Sequence, residues 1–245
     1  MPGDSGSLRT EFMRVASHEL RTPLTSIRGY SELLASGRAG PLSEQQQRMV
    51  TLIDLCAGQL HGIVEDLIVL AGLDDGSFGL ALEPTRLAPL VGRVAGELGT
   101  HARAAGVTLA VDVPGEAVLV ADPRHLHRAL SSLLATAVTF APKHGTVTVR
   151  GRLETDGGAG VLVGCPAGGV GAEEQLAVYE RGLGPGPAQL EGVGLALAVV
   201  RAVVQRHGGT VETSAGDEGV TVIVGLPSAP PADPAHVLLD RRTTV

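Results

Sequence analysis

From Met13 onward the apolar positions step alternately by three and four: Met13, Ala16, Leu20, Pro23, Ile27, Tyr30 and Leu34. That rhythm is a heptad seam along one helix, interrupted only by Pro23. It returns in Met49, Ile53, Cys56, Leu60, Ile63, Leu67 and Leu70. Between the two lies "SGRAGPLSEQQ", in which Gly37 to Pro41 stops the first helix. Ser43 with Gln46 then forms a capping box that starts the second. Two seamed helices joined by a short turn predict an antiparallel hairpin. One hairpin cannot bury both of its seams well, and pairing with a second copy gives a four-helix bundle. A homodimer is the expectation.

After the connector "LAGLDDGSFGLALEPTRL" the period changes. Helical spacing from Leu87 to Ala104 leads into the alternating strands "VTLAVDV" and "AVLVAD". A helix follows Asp122, a good N-cap ahead of Pro123 in the first turn. Then come "TVTVRGRL", "VLVGC", a helix over Leu195 to Arg206 and the hairpin "GTVETSAGDEGVTVIVGLP". Helices and a mixed sheet in this order predict a two-layer α/β sandwich. The fold class is therefore α + α/β. The expected organisation is an N-terminal tail over 1–7, a helical domain over 8–75, a linker over 76–86 and the α/β domain over 87–227. The Pro- and Ala-rich tail, 228–245, reads as disordered.

A length of 245 residues accommodates two modest domains, or one domain with a helical extension. The net charge of -7 leaves no basic stripe, which argues against a nucleic-acid partner. Lys143 is the only lysine, so no phosphate loop ending in Gly-Lys-Ser/Thr is possible. With 2% aromatic residues and no tryptophan, the core must be built from Leu, Val, Ile and Ala. Cys56 and Cys165 lie far apart with no metal or redox spacing, and both read as reduced, buried thiols of a cytosolic protein. No metal site is expected from their spacing. No apolar run approaches the ~20 residues that span a bilayer, and "MPGDSGSLRTEF" lacks a signal-peptide core. A cytoplasmic chain with no membrane segment is expected.

The chemistry concentrates in "HELRTP", residues 18 to 23. His18 lies two positions past Ala16 and so off the seam. Thr22 follows four residues later on the same outward face, and Glu19 borders it. Pro23 has no N–H, so the carbonyl of Glu19 loses its helical partner and the helix is free to bend. A neutral imidazole attacks a phosphoryl group with one nitrogen when the other donates to a carboxylate, which fixes the tautomer. Glu19 is the candidate carboxylate. Thr22 is placed to orient a water that hydrolyses a phosphoryl group on a partner aspartate.

The string "FMRVASHELRTPLTSIRGYSELL" resembles the phosphoacceptor box of two-component sensor histidine kinases. Helix, turn and second helix resemble the dimerisation and histidine-phosphotransfer domain of that family. The resemblance implies His18 as phosphoacceptor, with Glu19 and Thr22 at the acid and phosphatase-assisting positions. The second half resembles the family's catalytic ATP-binding domain, whose fold is shared with gyrase and Hsp90-type ATPases. The best match is "GVGLALAVVRAVVQRHGGTVETSAGDEGVTVIVGLP", residues 192 to 227. There the family places a glycine-rich turn before a helix. Gly192, Gly194 and Leu195 fall on it, where close backbone approach and a helix N-terminus favour phosphate.

The departures from the family pattern carry as much information. Where the family reads "NLLxNA", this chain has "SLLATA", with Ser132 and Thr136 at the asparagine positions. The second asparagine normally ligates Mg²⁺, and a threonine hydroxyl is a shorter and poorer ligand. The family's following lysine is Thr139. In place of "DxGxG" stands "CPAGG": Cys165 replaces the adenine-accepting aspartate, Ala167 replaces the first glycine, and Gly169 is retained. A thiol is a weak acceptor. The segment "GLGPGPAQLE", residues 182 to 191, offers no basic side chain to phosphate.

Across about residues 8 to 227 the resemblance thus implies a histidine kinase with a degenerate nucleotide site. ATP and Mg²⁺ are expected to bind weakly, or not at all. Phosphoryl chemistry at His18 with the receiver domain of a response regulator is the first functional expectation. A pseudokinase that binds a response regulator or a partner kinase without catalysis is the alternative. Few residues precede the first helix, so a signal is expected to arrive through a partner sensor, the ATP-like domain or a region outside this chain.

Overall fold

The computed structural model describes residues 4–74, 79–154, 157–167, 173, 176, 193–216 and 218–229. They divide into two compact units, Met1–Phe78 and Gly79–Val245.

The first unit is the expected hairpin of α1 (Asp4–Ala35) and α2 (Glu44–Asp74). Helix α1 starts inside the stretch read as a tail and continues through Pro23. At the turn, Gly37 and Gly40 take φ values of 73° and 111°, left-handed conformations that a side chain would strain. The capping box closes in both directions. Ser43 N–H donates to Gln46 Oε1 at 2.8 Å, and Gln46 N–H donates to Ser43 Oγ at 3.3 Å. Ser43→Ala removes that cap and is expected to lower the hairpin's stability by about 1 kcal/mol in thermal unfolding.

Where the two helices touch, Leu24, Ala57 and Val64 form a buried apolar cluster, with Ile68 packed against them. Each of the first three sits one position past a predicted seam residue. The seam itself is open: Leu20, Ile27, Tyr30, Leu34, Met49, Ile53, Leu60 and Ile63 are all exposed in the single chain. The helices carry an apolar stripe wider than one contact can cover, and the hairpin uses one margin of it. Cys56 lies on the uncovered margin. It is exposed, contrary to the expectation that both thiols are buried, whereas Cys165 is buried. Arg21 Nε donates to Glu65 Oε1 at 2.9 Å across the hairpin. Both side chains are solvated, so this pair contributes no more than about 1 kcal/mol.

The second unit opens with β1 (Glu83–Arg86) and α3 (Leu87–Ala105), followed by β2 (Thr108–Asp112), β3 (Val118–Ala121) and α4 (Pro123–Phe140). Then come β4 (Thr146–Leu153), β5 (Ala159–Pro166), α5 (Val193–Arg206), β6 (Thr210–Gly216) and β7 (Gly219–Leu226). Strand β1 pairs antiparallel with β3. The five-stranded sheet has the order β2-β4-β5-β7-β6. Its β2–β4 pair is parallel and the other pairs are antiparallel, so the sheet is mixed, as read from the sequence.

Strand β1 corrects the sequence reading, which left "EPTR" in the linker. Only Thr85 of the four is buried, so no apolar alternation marked the strand. Proline is tolerated because the strand lies in a two-stranded sheet with one neighbour.

The core is aliphatic, as the composition required. Val147, Val149, Val161, Val163, Val222 and Val224 line one sheet face, and Leu90, Leu126, Leu133, Leu134, Val199 and Val203 meet them from the helices. Gly219 has φ 130°, and a Cβ there would collide with the Cys165 carbonyl. The β6–β7 turn therefore needs a glycine at that position. Val120 N–H donates to the carbonyl of Ser228 at 2.9 Å, so hydrogen bonding reaches the first residue of the expected tail. Residues 230–245 lie outside the described residues. No helix among the described residues is long and apolar enough to cross a membrane.

Candidate functional site

His18, Glu19 and Thr22 lie in sequence on α1, all ahead of Pro23. Glu19 and Thr22 are exposed one helical turn apart. The side chain of His18 lies outside the described residues. Around Pro23 the hydroxyls fold back onto the helix. Thr25 Oγ1 donates to the Arg21 carbonyl at 2.9 Å, and Ser26 Oγ donates to the Thr22 carbonyl at 3.2 Å. These bonds keep the serine and threonine heads on the helix backbone.

The nucleotide-facing expectations gather on α4 and β5. Helix α4 starts as predicted: Asp122 Oδ1 accepts from Arg124 N–H at 3.0 Å and from His125 N–H at 3.1 Å. Along the helix, Ser132 and Thr136 are buried. Thr139 is exposed and its Oγ1 donates to the Ala135 carbonyl at 2.9 Å. On β5, Cys165 is 3% exposed and its thiol donates to the Ala137 carbonyl at 3.3 Å. Burial pushes the Cys165 thiol up to about 11, so it stays protonated at neutral pH. The structure thus brings Cys165 against the turn of α4 that carries Thr136.

Helix α5 packs on α4. Gly194 and Leu195 fall in its first turn. Gly169, Gly192 and the side chain of Leu195 lie outside the described residues. At the other end of α5, His207 is 1% exposed. Its Nδ1–H donates to the Val203 carbonyl at 2.8 Å, while its Nε2 accepts from the Asp122 N–H at 3.0 Å. Start of α4 and end of α5 are therefore tied, and the two helices run antiparallel.

The sequence model described as "His Kinase A (phospho-acceptor) domain" matches residues 8–76. The model described as "Histidine kinase-, DNA gyrase B-, and HSP90-like ATPase" matches residues 121–230. The chain belongs to the two-component sensor histidine kinase family. Among curated relatives, the "Non-motile and phage-resistance protein" of Caulobacter vibrioides is 32% identical over 89% of this chain and 27% of its own length. "Histidine protein kinase DivJ" of the same organism is 33% identical over 89% of this chain and 37% of its own length. The chain thus spans well under half of each relative. Among solved structures, full-length ShkA in complex with AMPPNP matches with a TM-score of 0.60 and 26% identity, over 91% of this chain and 47% of that one.

Two of these positions bear on the ligand set that the family resemblance implies. The resemblance implies an acceptor for the adenine amino group at position 165, where the Cys165 thiol is buried, neutral and donates to the Ala137 carbonyl. At position 136 a hydroxyl stands where a longer amide oxygen is implied. What sequence reading missed is the tie between Asp122 and His207. Asp122 was legible as a cap, but its second partner lies 85 residues further on and no local spacing announces it.

Proposed function

We propose that this chain works in two-component signalling as a phosphotransfer protein, exchanging phosphoryl groups between His18 and the aspartate of a response-regulator receiver domain. The observation that carries the reading is a contrast within one chain. The "HELRTP" acceptor string is complete, while the thiol at the adenine-accepting position is buried, protonated and bonded to Ala137. On this reading the nucleotide site is degenerate, and autophosphorylation from ATP and Mg²⁺ is weak or lost. The family match and the AMPPNP complex of ShkA support nucleotide binding in this domain class. The residues at 136 and 165 argue against tight binding in this member.

In the transfer step, one nitrogen of neutral His18 attacks the phosphorus of the receiver's aspartyl phosphate. The P–O bond to the aspartate breaks, leaving phosphohistidine and a free carboxylate. Glu19 accepts the proton on the other imidazole nitrogen and so holds the attacking lone pair in place. In the hydrolytic direction Thr22 positions a water on the same phosphorus, releasing inorganic phosphate. Two hairpins pair through the open seam of Leu20, Ile27, Tyr30, Met49, Ile53 and Leu60, giving a homodimeric four-helix bundle. The reading places this chemistry in the cytoplasm, with the ATP-like unit as a structural or regulatory module.

The test uses a receiver domain ³²P-labelled on its aspartate by a small-molecule phosphodonor. Label is expected to pass to this chain, or to appear as inorganic phosphate, and His18→Ala is expected to abolish the transfer. A pseudokinase scaffold is the second reading, favoured by the same Thr136 and Cys165. Binding of the receiver with neither transfer nor hydrolysis would establish it and overturn the first. Strong acid-labile labelling of His18 from ATP alone would overturn the degenerate nucleotide site.

A further inference from the structure

Asp122 is fully buried, and its two carboxylate oxygens hold different parts of the chain. Oδ1 serves α4, accepting from Arg124 N–H and His125 N–H. Oδ2 accepts from Ala81 N–H at 2.8 Å, with His125 Nδ1 2.9 Å from the same oxygen. Ala81 lies two residues before β1, in the connector by which the chain enters the second unit. The backbone of the same aspartate donates to His207, which ends α5.

We propose that Asp122 is a connector latch: one oxygen caps α4, and the other fastens the incoming chain at Ala81 to the joined ends of α4 and α5. Cap and latch are chemically separable, because each uses its own oxygen. The incoming chain is then held to the second unit at residue 81. Any displacement of it acts on the antiparallel helix pair whose far ends carry Thr136 and Gly194. The latch does not depend on whether nucleotide binds or His18 accepts phosphate, since every group in it belongs to residues 81 to 207 of the second unit.

Asp122→Asn separates the two roles. An asparagine keeps a carbonyl oxygen for the cap, where it serves as well as aspartate. Its NH₂ group meets the Ala81 N–H donor to donor, and it can donate instead to His125 Nδ1. Amide exchange measured by NMR on the full chain is expected to rise about ten- to a hundredfold at Ala81, the range for losing one hydrogen bond to a charged acceptor. The Arg124 and His125 amides are expected to keep their protection. ¹⁵N order parameters are expected to fall over residues 79–82. Ala81→Pro, which deletes the donor and leaves the carboxylate untouched, is expected to lower the same order parameters. It also decides the matter if Asp122→Asn does not fold. Unchanged exchange at Ala81 in Asp122→Asn would overturn the latch. So would loss of Arg124 and His125 protection together with it, or order parameters that stay level in both variants.

Discussion

The double variant Cys165→Asp/Thr136→Asn is expected to bind ATP with Mg²⁺ at least about tenfold more tightly than the parent chain. The aspartate supplies a charged acceptor to the adenine amino group, and one such bond is worth about 1.5–3 kcal/mol, or roughly ten- to a hundredfold. The asparagine adds an amide oxygen of the length and hardness a divalent ion requires. Isothermal titration with ATP compares the two proteins. Equal affinities would show that positions 136 and 165 do not set nucleotide binding, and the degenerate-site reading would lose its basis.

That gain comes with a cost in the ligand-free chain. Position 165 is 3% exposed, and the thiol there closes a hydrogen bond to the Ala137 carbonyl. A carboxylate in its place loses that bond and must either stay charged in an apolar setting or take up a proton. Ligand-free Cys165→Asp is therefore expected to melt below the parent, with the deficit narrowing as ATP is added. The parent's melting temperature is expected to stay nearly flat over the same titration. Stability of the ligand-free chain and affinity for the ligand thus pull in opposite directions at position 165.

Periodic elements were legible in the sequence because one face of each meets a core. Helix α4 is an example: its cap at Asp122, its proline at 123 and its apolar spacing all agree, and the structure starts it where those signals meet. Strand β4 was read to the residue from its alternation. Strand β1 was not, since a four-residue segment with one buried side chain has no period to detect. The hairpin contact shows another limit. Heptad spacing revealed that α1 and α2 are seamed, but Leu24, Ala57 and Val64 lie beside the predicted line, and which margin the partner helix takes is a tertiary choice. For the same reason Cys56, read as buried, is exposed. The candidate chemistry was legible as strings, "HELRTP" and "CPAGG". What the thiol does with its hydrogen, and what Asp122 does with its second oxygen, depends on atoms brought together by the fold.

His207→Ala is expected to destabilise the second unit by about 3–5 kcal/mol. The imidazole is buried, so its loss leaves a cavity, and the Asp122 N–H it satisfied is left without an acceptor. The same residue gives the unit a particular pH dependence. Burial holds the His207 pKa below its ordinary 6.5, although the Val203 carbonyl and the Asp122 carboxylate pull it upward. The unfolded chain therefore binds more protons than the folded one below pH 6.5. Stability is full above that pH, declines as the pH falls toward the folded pKa, and then levels off. Half-buried His101, also held below 6.5 by burial, adds to the same decline. Asp122 acts in a lower window. Burial alone would raise its pKa, but bonds from Ala81 and His125 outweigh that and hold it below 3.8. Its contribution is present above 3.8 and is lost as pH falls through the folded value. Urea unfolding followed by methyl NMR of the buried valines in β5 and β7 reads this unit separately from the hairpin. Between pH 7.5 and 5.5 the parent is expected to lose stability, and His207→Ala to lose less from a lower starting point. Parallel pH profiles in the two proteins would show that His207 is not the buried neutral acceptor its hydrogen bonds describe.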